Sequence, residues 1–225
     1  MTARDHVSEA ELRFDPSNIV ISDSARVMIA AAGDAAIASL LRAWEAQPSV
    51  RHGVIVTFGM MLWYADSAGR PLSAENRTLI RRHLLRAAVA GESWHRQAFL
   101  DAAEWTHDAS YLPLVRGIDP RAAAVGKLLH HEQLTPAADL LAALREQFEV
   151  AGLEGWLPDE GLARSVRTSF TSAAAAFGAR DHRAVRAALT AAQVNLRLAR
   201  GKGVRLEAWS LLSEGIGSIL ARIAG

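Results

Sequence analysis

The sequence predicts an all-α protein, an antiparallel multi-helix bundle of about eight or nine helices, built either as one continuous domain or as two packed helical subdomains. Three observations predict it. Apolar residues recur every three or four positions over most of the chain, the spacing of one face of an α-helix. Short polar, glycine or proline turns separate the segments that carry this pattern. Alanine-rich stretches such as residues 173–176 favour helix intrinsically and let helices approach closely. The boundaries drawn from these signals are an arm at 1–22, a first subdomain at 23–110 and a second at 111–225.

Residues 1–22 lack a clear period and contain Asp15-Pro16-Ser17-Asn18, so they read as an arm, with Ile19-Val20-Ile21 available to pack on the body. Ser22 or Asp23 then caps a helix whose apolar positions Val27, Ala31, Ala35 and Leu41 share one face and which ends before Pro48. Residues 54–65 are the most hydrophobic stretch. They fall well short of the roughly 20 residues needed to cross a bilayer, and they read as a helix buried on all sides. Gly69 and Pro71 mark a turn, and Ser73 caps the next helix. Its buried stripe is Leu79, Ile80, Leu84, Ala87 and Ala88, with Arg77, Arg81, Arg82 and Arg86 lying away from it.

After Gly91 a further helix is expected over 92–110 without a break, with Trp94, Ala98, Ala102, Trp105 and Ala109 as its buried stripe. Two prolines and a glycine in 111–120 interrupt the periodicity and mark the joint between the halves, its leucine and valine side chains packed. Helices are expected next over 121–131, 136–151, 159–178, 181–200 and 204–224. Gly201 supplies a left-handed cap between the last two. Val185, Leu189, Ala192 and Leu196 should then face Leu206, Trp209, Leu212 and Ile216.

Composition bounds the function. A hydrophobic share of 50% with 22% charged residues belongs to a folded chain rather than a disordered one. The 25 Lys and Arg against 24 Asp and Glu leave a net charge of +1. No global field therefore attracts nucleic acid or anionic lipid, and such a partner needs a local patch. The absence of cysteine removes disulfides, thiolate metal sites and cysteine nucleophiles together. The polar start, with early acids, has neither the apolar core of a secretory signal nor the acid-poor character of a transit peptide, so a cytoplasmic location is expected.

Two Glu-x-x-His units stand out, Glu92…His95 and Glu104…His107, since this spacing places both side chains on one helix face and di-iron bundles use it. On one straight helix the two units lie roughly 18 Å and 120° apart, too far to share an ion. His95 falls at the margin of the buried stripe and could join Glu92 in a metal site completed from other helices. His130 and His131, before Glu132, sit where a helix should end, which the helix dipole alone explains; a metal role would need His83 or His95 nearby.

The row Arg77, Arg81, Arg82, Arg86 is a one-sign patch, answered either by acids within the fold or by an acidic or phosphate-bearing partner. His83, six residues after Arg77, matches the Arg…His spacing of helical HEPN-type ribonucleases, a permissive spacing with no second element beside it. Arg197, Arg200, Lys202 and Arg205 surround Gly201 and complement the carbonyl end of a helix; an anion or partner site is the other use. Trp156 lies in a turn, either as a plug over the core or as part of a partner surface. Phosphate-cradling glycine motifs and nucleophile elbows are absent.

The segment Met60-Met-Leu-Trp-Tyr-Ala-Asp66-Ser-Ala-Gly69-Arg-Pro-Leu72-Ser73-Ala-Glu75 resembles the helix–turn–helix signature of TerB-like domains of the tellurite-resistance class through Asp66, Gly69, Leu72 and Glu75. It departs from the pattern by Ser67-Ala68 between Asp and Gly, and the echo Leu157-Pro-Asp-Glu160 lacks the preceding aspartate. The resemblance covers about thirty residues and implies an all-α stress-associated module in which Asp66 and Glu75 hold a metal ion.

Taken together, the residues favour a non-enzymatic helical module binding a protein partner through Arg77, Arg81, Arg82, Arg86 and Trp156, with no cofactor and no membrane insertion. The alternative is a metalloprotein holding a divalent ion through Glu92, His95, His130 and His131. Nucleic-acid binding or RNA cleavage through the arginine row comes third.

Overall fold

The computed structural model describes residues 23–67, 72–202 and 204–224, apart from the side chains of 23–25, 66 and 67. The arm at 1–22, the cap at Ser22, the Asp66 side chain and the turn at Gly69 and Pro71 lie outside the described residues. Among the described residues the chain is all-α, with eleven α-helices, two 3-10 turns and one isolated bridge, Arg200 to Val204. Eleven exceeds the expected eight or nine for two local reasons.

The first is Gly33, whose left-handed φ of 59° ends α1 (Asp23–Ala32) and opens α2 (Asp34–Ala46) within what reads as one helix. The break shifts the helical phase. Ile29, Ala30, Ala36, Ile37 and Leu40 are buried, while Val27 and Ala35 of the expected stripe face outward. The second is α6 (Leu112–Ile118), where a joint without helix was expected. Pro113 falls in its first turn, where a missing N–H costs nothing, and Leu112, Leu114 and Val115 are buried.

The chain divides into two compact units, one of Met1–His107 with Ala122–Lys127, the other of Asp108–Arg121 with Leu128–Gly225. In the first, α3 (Arg51–Ser67) packs against α1, α2, α4 (Ala74–Ala88) and α5 (Ser93–Thr106). Val54, Ile55, Phe58, Met60, Met61 and Leu62 point in different directions around α3 and are all buried, as its unbroken apolar sequence requires. A Cβ on Gly59 would stand 2.4 Å from the Ala102 carbonyl oxygen, so this glycine sets how closely α3 and α5 meet. Ser73 caps α4 as expected, its Oγ accepting from Asn76 N at 3.2 Å.

The helix expected over 92–110 is shorter. It runs without interruption past Phe99 but stops at Thr106, because His107 adopts a left-handed φ of 53°. Its buried face is Ala98, Phe99, Ala102, Ala103 and Thr106, while Trp105 turns outward beside Lys127.

In the second unit, α8 (Ala137–Leu153), α9 (Glu160–Gly178), α10 (His182–Ala199) and α11 (Leu206–Arg222) pack in successive pairs, with α6 against α11; the division between units falls within α7 (Ala123–Leu134). Gly215 lets α11 close on α8, where an added Cβ would lie 2.7 Å from the Leu144 side chain. The expected inner stripe of α10, Val185, Leu189, Ala192 and Leu196, is fully buried, as are Leu212 and Ile216. Leu206 is not. It is 63% exposed, so its expected place against α10 is corrected. No helix among the described residues is long and apolar enough to cross a membrane.

Candidate functional site

Four helices of the first unit bring aromatic and imidazole rings together. Trp44 of α2 holds His83 of α4 edge-on, with ring centroids 5.4 Å apart, and lies 6.3 Å from His95 of α5. Phe58 of α3 is 5.4 Å from His83, and Trp94 stacks on His95 at 3.5 Å. Arg51 donates from Nε to the Trp44 carbonyl at 2.9 Å and places its guanidinium 5.5 Å from the Trp44 ring. The Glu92–His95 pair forms: His95 Nδ1 is buried 3.3 Å from Glu92 Oε2, without hydrogen-bond alignment, and the same oxygen accepts from Trp94 Nε1. Burial lowers the His95 pKa, Arg51 lowers it further, and Glu92 works in the opposite direction.

Glu92 and His95 supply two metal-ligand types on one turn. Among the described residues, no three His, Asp or Glu side chains converge as a metal-holding group. The other acid and imidazole groups make separate contacts. His52 pairs with Asp101 at 2.9 Å, which together with a hydrogen bond from Gln97 holds the Asp101 carboxyl below its usual range. Glu104 binds Lys127 at 2.7 Å, while His107 leaves the helix and packs on Trp63, 5.3 Å between centroids. In the second unit His130 and His131 sit edge to face at 5.9 Å, and burial lowers the His131 pKa, with His130 adding to it. The neighbouring Glu132 accepts from Ser218 Oγ.

The arginine row is not a solvent-facing surface as expected. Arg81 is buried at 4% exposure, Arg77 and Arg82 are half-buried, and Arg86 is exposed. All four take part in contacts within the fold. Glu75 is exposed in the first turn of α4 and Leu72 is buried. Trp156 is 2% exposed, which corrects its reading as a partner contact and leaves it as a core plug. The cause is a Schellman motif. Gly155 is left-handed (φ 70°), its N–H donates to Gly152 O, and Trp156 N–H reaches back to Ala151 O at 2.9 Å, turning the indole inward.

The surface that sequence reasoning passed over is the outer face of α10. Ala187, Ala191, Val194 and Leu198 are all exposed and follow one another at intervals of four, three and four residues, a continuous stripe opposite the buried one. Val194 is 47% and Leu198 74% exposed. The turn that follows is of type II, with Arg200 at φ −56°, ψ 125°, Gly201 at φ 75° and Lys202 N–H bonded to Ala199 O at 3.1 Å. It carries Arg200, whose guanidinium lies 4.1 Å from the Trp209 ring, and leads to Leu206. The signal lies in the sequence as a second apolar repeat within one helix, on the side opposite the buried stripe.

Compared with protein-family models, curated proteins and solved structures, the chain matches none of them.

Proposed function

We propose that this chain is a non-enzymatic helical interaction module that binds a protein partner through the outer face of α10 and the start of α11. One observation carries the reading: Val194 and Leu198 stand in water on a helix that is already packed on its opposite side, and Leu206 stands in water at the start of the next helix. Burying a leucine or valine side chain stabilises by about 1.5–3 kcal/mol, so these three hold a sizeable reserve of binding energy. Scattered exposed leucines are ordinary on protein surfaces. A stripe in helical register over three turns is the pattern that a partner helix reads.

The test is a photoreactive amino acid placed at position 198 of the full chain in its native cells. A discrete protein adduct is expected there, and none from the same probe at exposed Thr168 on α9. Leu198→Asp should leave the unfolding midpoint unchanged while removing partner association. Equal background labelling at both positions would overturn the reading.

A further inference from the structure

We infer that the occupant of this face is an acidic amphipathic helix, an inference that rests on the interaction-surface reading above. The intervals of Ala187, Ala191, Val194 and Leu198 are those of a coiled-coil seam. Small residues at the first two positions let a partner helix lie close, and the larger pair at the other end anchors it.

Between Asp181 and Glu207 the charges along α10 and the turn after it have one sign. Residues 182–206 contain Arg183, Arg186, Arg197, Arg200, Lys202 and Arg205 and no Asp or Glu, and all six cations are exposed. Arg183 and Arg197 lie two heptads apart at the position that flanks the seam, where coiled coils place partner-selecting charges. Arg186 donates to the Ile223 carbonyl and Arg200 covers Trp209. Among the described residues Arg183, Arg197, Lys202 and Arg205 form no ion pair.

A second copy of the chain fits poorly. Antiparallel pairing of two α10 helices sets the Arg183 and Arg197 edges against each other, and parallel pairing brings two cationic turns to the same end; both repel. Nucleic acid would have to seat phosphates on a face whose centre is Val194 and Leu198. A helix with leucines on one face and Glu or Asp along its edges satisfies both the seam and the cations. Its carboxylates would also steer encounter and make affinity fall with salt.

The experiment uses the full chain and three labelled helical peptides with one common leucine seam and Glu, Gln or Lys at the flanking positions, read by fluorescence anisotropy. Binding of the Glu peptide should exceed that of the Gln peptide by about tenfold or more at low salt, with Lys weakest. Leu198→Asp should abolish it, and the double change Arg183→Glu with Arg197→Glu should reverse the order, with unfolding midpoints confirming that both variants fold. Equal binding of all three peptides, lost with Leu198→Asp, would overturn the acidic partner and leave the interaction surface standing. Absence of any Leu198-dependent binding would overturn both. Leu198-dependent self-association, or capture by phosphatidylserine vesicles without peptide binding, would likewise overturn the acidic helix.

Discussion

His95 stacks on Trp94, lies beside Glu92 and loses solvent on its buried side, and that desolvation, reinforced by Arg51, favours the neutral ring. The unfolded chain, with an ordinary imidazole pKa of about 6.5, therefore binds a proton that the folded chain resists. Stability should be full above that value and fall as pH drops from 7 toward 5, a loss that levels off below the lowered folded value. His95→Gln should make the fall in urea midpoint shallower without abolishing it, because His131 is shifted the same way. A parent midpoint flat over this range would contradict the burial of His95. Arg180, left-handed at φ 57° and exposed, ends α9 in the conformation that suits glycine. Arg180→Gly should raise stability by about 1 kcal/mol in denaturant titration. Arg81 shows why single positions are misread. Leu85 and Ala88, four and seven residues after it, are both buried, so the apolar arc of α4 is wide enough to enclose it. A stripe drawn without Leu85 leaves Arg81 outside.

At the scale of helices, the contact between α3 and α5 turns on one missing side chain. Gly59→Ala should destabilise the chain by about 1–3 kcal/mol in thermal or urea unfolding, since the obstacle is the Ala102 backbone rather than a movable side chain. An unchanged midpoint would show that the two helices sit farther apart. Elements with one strong signal were legible: the all-apolar run of α3, the Ser73 cap and the inner stripe of α10. The break at Gly33 was not, because glycine inside an apolar period is tolerated in many helices and its positive φ has no signature beyond the residue itself. Residues 112–118 read as a joint because prolines interrupt periodicity, although Pro113 falls in the first turn, where a helix tolerates proline. The outer stripe of α10 escaped because alanine counts weakly as apolar, so two of its four positions carried little weight.

Across the whole chain, the net charge of +1 conceals segregation. Six cations and no acid fall within residues 182–206, leaving 19 Lys and Arg against 24 Asp and Glu elsewhere. A global sum therefore hides a local field that coincides with an exposed apolar seam. The metal reading asked several histidines to converge, and periodicity within single helices cannot say which of them share a neighbourhood; that requires tertiary packing, which placed His83 and His95 around Trp44. The direct measurement is carbene footprinting of Val194 and Leu198 in the purified chain and in intact native cells. Strong labelling of both in the purified protein, with protection in cells, is the expected result. Equal labelling in the two settings would contradict a partner on α10.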